Sequence, residues 1–374
     1  MASIKISTLL VVLGFSNFLV PSHTQSANIS EVTEATFGYF NMSREFEPPT
    51  PKRRPYARYP KLAKLANLSG FVEVSFMVDP RGNTYEAVVT RSSDSIFEAS
   101  ALRAVRLYKY GAAQIGGTAV DGRATSILHF MTFDQDHGVR YRERKDLNEL
   151  LAEIQQAGDP KDALRKKMIA GLERRSLTAC GRAFTYYAMQ QYAQKFGDLK
   201  LETEALQNLL AYTHFGAINL NDKRLSICFD AAMERLLFER LIRLYFDQDM
   251  SAYAYRKTLD LDADFRLEGE KVLSNISSQW TEQVASRKHT FQLSERGYEL
   301  IELMSQTAKV ISHDDSPIEI KLRCDAGFKE LSFEKVGEIE LPDDYGQCQV
   351  EIRGSAGTLV ELIEEVTPLS EAIR

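Results

Sequence analysis

The sequence predicts an α+β multidomain protein, and three stretches of different periodicity carry that prediction. Val72, Val74, Phe76 and Val78 alternate with Glu73, Ser75 and Met77, the period of two of a strand, and open a small strand-strand-helix-strand unit. From Lys145 to about Ala308 the spacing turns helical, with Leu206, Leu209, Leu210 and Thr213 on one stripe. From Pro317 onward, short runs of β-formers divided by turn residues describe a small antiparallel β module. A chain of 374 residues, 44% apolar and 26% charged, holds two or three such domains and is not disordered throughout.

In chain order, Met1 to Ala27 has the layout of a secretory signal: one cation at Lys5, an apolar stretch from Ile6 to Val20, then Pro21 and small residues. The stretch is short of the roughly twenty apolar residues that a spanning helix needs. Cleavage after Thr24, Ser26 or Ala27 is the expectation, with a retained inner-membrane anchor as the alternative. Residues 28–50 read as a polar, Pro-containing linker. The first domain is set at 51–135. In it the strand ending at Val78 meets the turn Asp79-Pro80-Arg81-Gly82-Asn83, and Tyr85 to Thr90 returns. Ser95 and Glu98 have capping-box spacing, Phe97, Ala101, Ala104, Val105 and Tyr108 mark one helix face, and Gly111 is the expected end. Arg123 to Phe133 supplies the third strand. A helical domain is set at 140–310, with 182–196 and 199–213 as a helical hairpin or TPR-like pair, although no period near 34 repeats. The helix through Cys228, Ala232, Leu236, Leu237, Leu241 and Leu244 is expected to be buried on more than one side. The β domain is set at 315–365, with strands at 318–323, 328–333, 337–341, 347–352 and 358–363.

The charge is uneven. The formal net charge is −6, yet residues 51–133 carry twelve Lys or Arg against six Asp or Glu. The overall balance removes the basic excess of a nucleic-acid coat, so no nucleic-acid partner is expected. The run Lys52-Arg53-Arg54 reads either as a weak contact to an anionic surface or as a solvated linker. The six histidines form no HExxH or HxxxH pair, the cysteines have no CxxC spacing, and Walker, GxSxG and GxGxxG motifs are absent. No metal, cofactor or enzymatic activity is expected on these grounds. His129 reads as a half-buried sheet residue, and the serines at Ser92-Ser93-Asp94-Ser95 as helix caps. Export would put the cysteines where disulfides persist. Cys324 and Cys348 are expected to bond across the β module; Cys180 and Cys228 either form a second bond or remain buried thiols.

Tyr59-Pro60-Lys61-Leu62-Ala63, the run Gly70-Phe71-Val72-Glu73-Val74-Ser75-Phe76-Met77-Val78-Asp79, Gly82, Ser92-Ser93 and Ala101-Leu102-Arg103-Ala104-Val105 together resemble the TonB C-terminal domain family, over about residues 51–133. Where that family usually places proline after the helix, this chain has alanine, in Tyr110-Gly111-Ala112-Ala113. The resemblance implies a domain that binds an outer-membrane TonB-dependent receptor, or another envelope protein, by strand addition at an exposed sheet edge. By the same resemblance, the candidate partner-binding residues are Arg123, Ala124, Thr125, Ser126, Ile127 and Leu128, with Tyr59 and Pro60 nearby.

The leading expectation is therefore a periplasmic TonB-like interaction protein associated with transmembrane transport or envelope assembly. A true energy transducer that keeps its amino-terminal anchor is the rival within the family. A periplasmic ligand- or glycan-binding protein, using the C-terminal β module, is the rival from another class.

Overall fold

The computed structural model describes residues 46–131, 141–160, 162–173, 177–212, 228–229, 231–247, 286–303, 305–314, 317–342 and 345–365. The expected signal segment and its cleavage site, residues 28–45 of the linker, Phe133 and Thr213 lie outside these. The α+β multidomain architecture is as expected, with seven helices and several antiparallel sheets among the described residues.

The first domain is organised by a three-stranded antiparallel sheet of β3 (Gly70–Val78), β4 (Thr84–Ser92) and β8 (Gly122–Phe130), in the order β4-β3-β8. The β3–β4 turn closes because the Asp79 carboxylate accepts from the backbone amides of Arg81 at 2.9 Å and Asn83 at 2.7 Å. Gly82 completes it at φ +81°, and a Cβ there would run into the Tyr110 carbonyl. Helix α1 (Lys61–Leu65) and helix α2 (Glu98–Val105), which follows a 3₁₀ turn at Ser95–Phe97, cover one sheet face. Val72, Val74, Phe76 and Val78 point into that core with Phe97, Ala101, Val105 and Phe130. Each large apolar side chain so buried contributes on the order of 1.5–3 kcal/mol.

Three local expectations change. Asp94, not Ser95, caps the turn by accepting from the Ile96 amide at 2.9 Å, and Glu98 instead accepts from the Ser92 hydroxyl at 2.7 Å. The helix stops at Val105, and Lys109–Gly111 (β5) pairs with Thr50–Arg53 (β2). The linker assignment ends too late, because Phe46–Glu47 (β1) also pairs, with Ala113–Ile115 (β6), which in turn pairs with Thr118–Val120 (β7). Consecutive prolines keep a chain extended, and an extended chain beside free backbone groups can join a sheet.

The helical layer comprises α3 (Tyr141–Gln156), α4 (Asp162–Glu173), α5 (Ala179–Phe196), α6 (Leu199–Leu210) and α7 (Ala231–Asp247). The α5–α6 hairpin turns where expected: Gly197 takes φ +74° and the Asp198 carboxylate caps α6 through the Leu201 amide at 3.0 Å. A disulfide joins Cys180 to Cys228. On α7, Leu237, Leu241 and Leu244 are buried, but Ala232 and Leu236 face solvent, so that helix presents one buried side there.

The largest correction concerns residues 286–310, placed in the helical domain but lying in three strands. These are β9 (Ser286–Gln292), β10 (Tyr298–Glu302) and β11 (Thr307–Ser312). With β12 (Ile318–Cys324), β13 (Gly327–Phe333), β14 (Val336–Glu340), β15 (Cys348–Arg353) and β16 (Leu359–Glu365) they build two four-stranded sheets, β10-β15-β12-β13 and β14-β11-β16-β9. Val310, Leu322, Val350 and Leu362 from both sheets share one core, which makes the module a β-sandwich. Cys324 and Cys348 are opposite each other in the β12–β15 register and are disulfide-bonded.

Candidate functional site

The sandwich and the helical layer both reach the second face of the β4-β3-β8 sheet. Every residue of β3 is therefore buried, Glu73 and Ser75 included. Towards one end, Phe71 meets Tyr212 edge to face at 5.1 Å, and Ile127 packs in the same cluster with Ala179 and Ala183 of α5. His129 is half-buried, as expected, and its Nε2 lies 2.7 Å from the Ala211 carbonyl. Towards the other end the sandwich brings charge. Arg123 donates through Nη1 to both carboxylate oxygens of Glu302, at 2.7 and 3.0 Å, and its Nη2 is 3.7 Å from Asp325. Glu302 also accepts from Gln349 at 3.1 Å, and the Ser75 hydroxyl donates to Gln349 at 3.3 Å.

Beside this group, Arg323 is fully buried, pairs with Glu351 and donates to the Glu86 carbonyl. Lys321 donates to the Glu86 carboxylate at 2.9 Å. Burial lowers the pKa of Lys321, but its hydrogen bonds to Glu86 and Glu330 raise it by more, so the ammonium is held above its ordinary value. Glu86 itself sits at φ +46° in β4, within the stretch where the β3–β4 register shifts. This bulge turns both its carbonyl and its carboxylate to the sandwich. A polar cleft of about 470 Å³ lies here, lined by Tyr85, Glu86, Ala87, Arg106, Lys321 and Arg353.

β8 is an outer strand, bonded to β3 on one side only among the described strands. In an antiparallel ladder, directly opposed residues alternate between exchanging both backbone bonds and exchanging none. Phe71 turns its amide and carbonyl away from β8, to the Ser93 side chain and backbone. Phe71–His129 is thus a non-bonded pair in the β3–β8 register, and so are Glu73–Ile127, Ser75–Thr125 and Met77–Arg123. The backbone groups of Arg123, Thr125 and Ile127 consequently point outward, while those of Ala124, Ser126 and Leu128 bond β3.

The eight candidate residues accordingly separate. Ala124, Ser126 and Leu128 are buried on the α2 side. Thr125 and Ile127 are half-buried on the other. Arg123 needs correction: its side chain is committed to Glu302 and Asp325, leaving only its backbone to offer. Tyr59 stands at the far end of β8, edge to face with Phe130 at 6.0 Å and Phe97 at 6.1 Å, and its hydroxyl donates to the Leu68 carbonyl. Burial pushes that phenol up to about 12. Pro60 is the N-cap of α1. Of the cationic run, Lys52 and Arg53 are exposed, whereas Arg54 is half-buried and bonds Tyr110.

Sequence reasoning missed Glu86, Glu302, Lys321, Arg323 and Gln349. The one available signal was the alternation of Lys321 and Arg323 with apolar residues, opposite Gln349 and Glu351 on a neighbouring strand. Among the described residues no three His, Cys, Asp or Glu side chains converge as a metal site, and no helix is long and apolar enough to cross a membrane.

The family described as Gram-negative bacterial TonB protein C-terminal matches residues 55–131. Among solved structures, the solution NMR structure of the Pseudomonas aeruginosa TonB CTD is similar at 20% identity, covering 24% of this chain and 90% of that one, with a TM-score of 0.21. The crystal structure of PirA is similar at 13% identity, covering 22% and 95%, with a TM-score of 0.17. No curated protein matches the chain. The family match ends where the helical layer begins, and within it residues 55–131 are a TonB C-terminal domain.

Proposed function

We propose that this chain is a periplasmic TonB-like interaction protein, a binder rather than an enzyme. Its partner is an outer-membrane receptor or another envelope protein, which it takes up by adding an extended segment of that partner to β8. The observation that carries the reading is the outward direction of the Thr125 and Ile127 backbone groups on a strand with one free side. A guest strand there gains main-chain hydrogen bonds, which need no particular guest side chain, while Tyr59 and Phe130 mark one end of the groove and Arg123 the other. Association with transport across the envelope follows from this partner class.

The register designs the test. Thr125→Pro or Ile127→Pro removes one outward donor and blocks the approach of a guest while leaving the β3 ladder in place; Ser126→Pro or Leu128→Pro breaks that ladder instead. Capture of detergent-solubilised outer-membrane receptors by immobilised protein should fall by about tenfold or more for Thr125→Pro. Its circular dichroism should stay that of wild type, whereas Leu128→Pro should lose the fold. A folded Thr125→Pro protein that captures at wild-type strength rejects strand addition at β8.

A further inference from the structure

The three most exposed large apolar side chains among the described residues fall within ten residues of each other: Leu65 at 84%, Tyr56 at 79% and Leu62 at 70%. Leu62 and Leu65 are one turn apart on α1, which buries Ala63 and turns both leucines out. The segment before α1 is pinned in the same sense. Ala57 and Tyr59 pack on the core, and the Arg58 carbonyl accepts from the Ser100 hydroxyl, so Tyr56 and the Arg58 side chain face solvent.

Cations adjoin these apolar groups along the chain. Lys52, Arg53, Arg58, Lys61 and Lys64 are all exposed, and none forms an ion pair with another described residue. α1 packs against the 3₁₀ turn at Ser95–Phe97, whose cap, Asp94, is occupied with the Ile96 amide. Some cations elsewhere among the described residues are matched, as Lys288 is by Glu361 and Arg240 by Glu202. Protruding apolar groups with exposed lysine and arginine beside them in the chain suit a soft, negatively charged interface, into which the apolar tips sink while the cations meet phosphates.

We infer that the face formed by Tyr56, Leu62 and Leu65 with Arg58, Lys61 and Lys64 is a contact for an anionic phospholipid bilayer surface. It lies on the α1–α2 side of the sheet. This inference stands apart from strand addition, since none of its residues contributes backbone to the β8 edge.

Flotation with vesicles tests it on the full chain, comparing phosphatidylcholine alone with phosphatidylcholine containing phosphatidylglycerol. An environment-sensitive dye on Leu62→Cys reports the site itself, whatever else in the chain touches lipid. The expected result is a blue shift of the dye and stronger flotation on anionic vesicles only. Lys61→Glu with Lys64→Glu should lower the anionic affinity by about tenfold or more, and added salt should do the same to wild type. Leu62→Ser with Leu65→Ser should also weaken it, with unchanged thermal unfolding because both side chains are exposed. Equal behaviour on neutral and anionic vesicles overturns the inference. So does a charge-reversed protein that floats like wild type. Loss of receptor capture in these variants with no lipid effect would assign the face to an acidic protein partner and overturn it equally.

Discussion

The two faces of the β4-β3-β8 sheet are buried differently, one by an apolar core alone and the other by polar pairs beside the apolar cluster of Phe71 and Ile127. Val72, Val74, Phe76 and Val78 meet Phe97, Ala101 and Val105 in a continuous apolar core. Behind them, Glu73 pairs with Arg91, Ser75 with Gln349, and Arg123 with Glu302. An apolar face is glued by any apolar cover of the right shape, whereas a polar face is satisfied only by a cover whose groups match it one by one. The first interaction therefore makes the domain, and the second selects what docks on it.

The largest effect should come from the apolar face. Phe76 is fully buried between Tyr108 and Tyr110, and Phe76→Ala should cost about 3–5 kcal/mol in denaturant unfolding. If the loss were no larger than for an exposed leucine, the core assignment would fail. On the polar face, Glu302→Ala strands the Arg123 guanidinium in the interior. The cost should be about 3 kcal/mol, at the low end for a broken buried pair because Asp325 remains nearby. Arg123→Met combined with Glu302→Leu should recover most of that loss, since the desolvation cost goes with the pair. If the double variant is as unstable as the single one, the face is not held in the way its geometry implies. Ser75→Ala, which removes a 3.3 Å neutral hydrogen bond, should cost about 1 kcal/mol or less.

The smallest difference is in alkali. Burial pushes the Tyr59 and Tyr110 phenols up to about 12, from an ordinary value near 10. The native state therefore holds these protons to higher pH than the unfolded chain does. Their contribution is complete below about pH 10 and is lost as the pH rises towards about 12. Tyr59→Phe should flatten that decline in a pH series of thermal melts, although it lowers stability at neutral pH through the lost bond to Leu68. A variant whose alkaline decline matches wild type would separate Tyr59 from the effect.

The sequence pattern exposed one face of the sheet and concealed what the other does. The alternation at 72–78 located β3 and its apolar side, and the turn at Asp79–Asn83 located the hairpin. The same alternation implied that Glu73 and Ser75 meet water, because a period of two distinguishes the faces without saying what covers the polar one. Strands 286–312 were illegible for a related reason. Ser286–Gln292 is almost wholly polar, and β10 carries Leu300 and Ile301 side by side, so neither shows the alternation that marks a strand. The candidate edge was legible through family resemblance, but its direction was not. Which of Thr125 and Ser126 offers its amide outward depends on where Phe71 sends its own, and that is settled by Ser93, 22 residues away.

The sequence distance across the polar face has a consequence for how the chain is made. Ser75 and Gln349 are 274 positions apart, and Arg123 and Glu302 are 179. A chain synthesised from its amino terminus completes the TonB C-terminal domain long before the sandwich exists, at roughly 5–20 residues per second. For that interval the domain must persist with one sheet face bare. In that interval Phe71, Met77 and Ile127 are left bare, while Glu73, Ser75 and Arg123 at the same face stay hydrated. The matched ion pairs then act as a late checkpoint of assembly, closing only when the last strands have arrived in register.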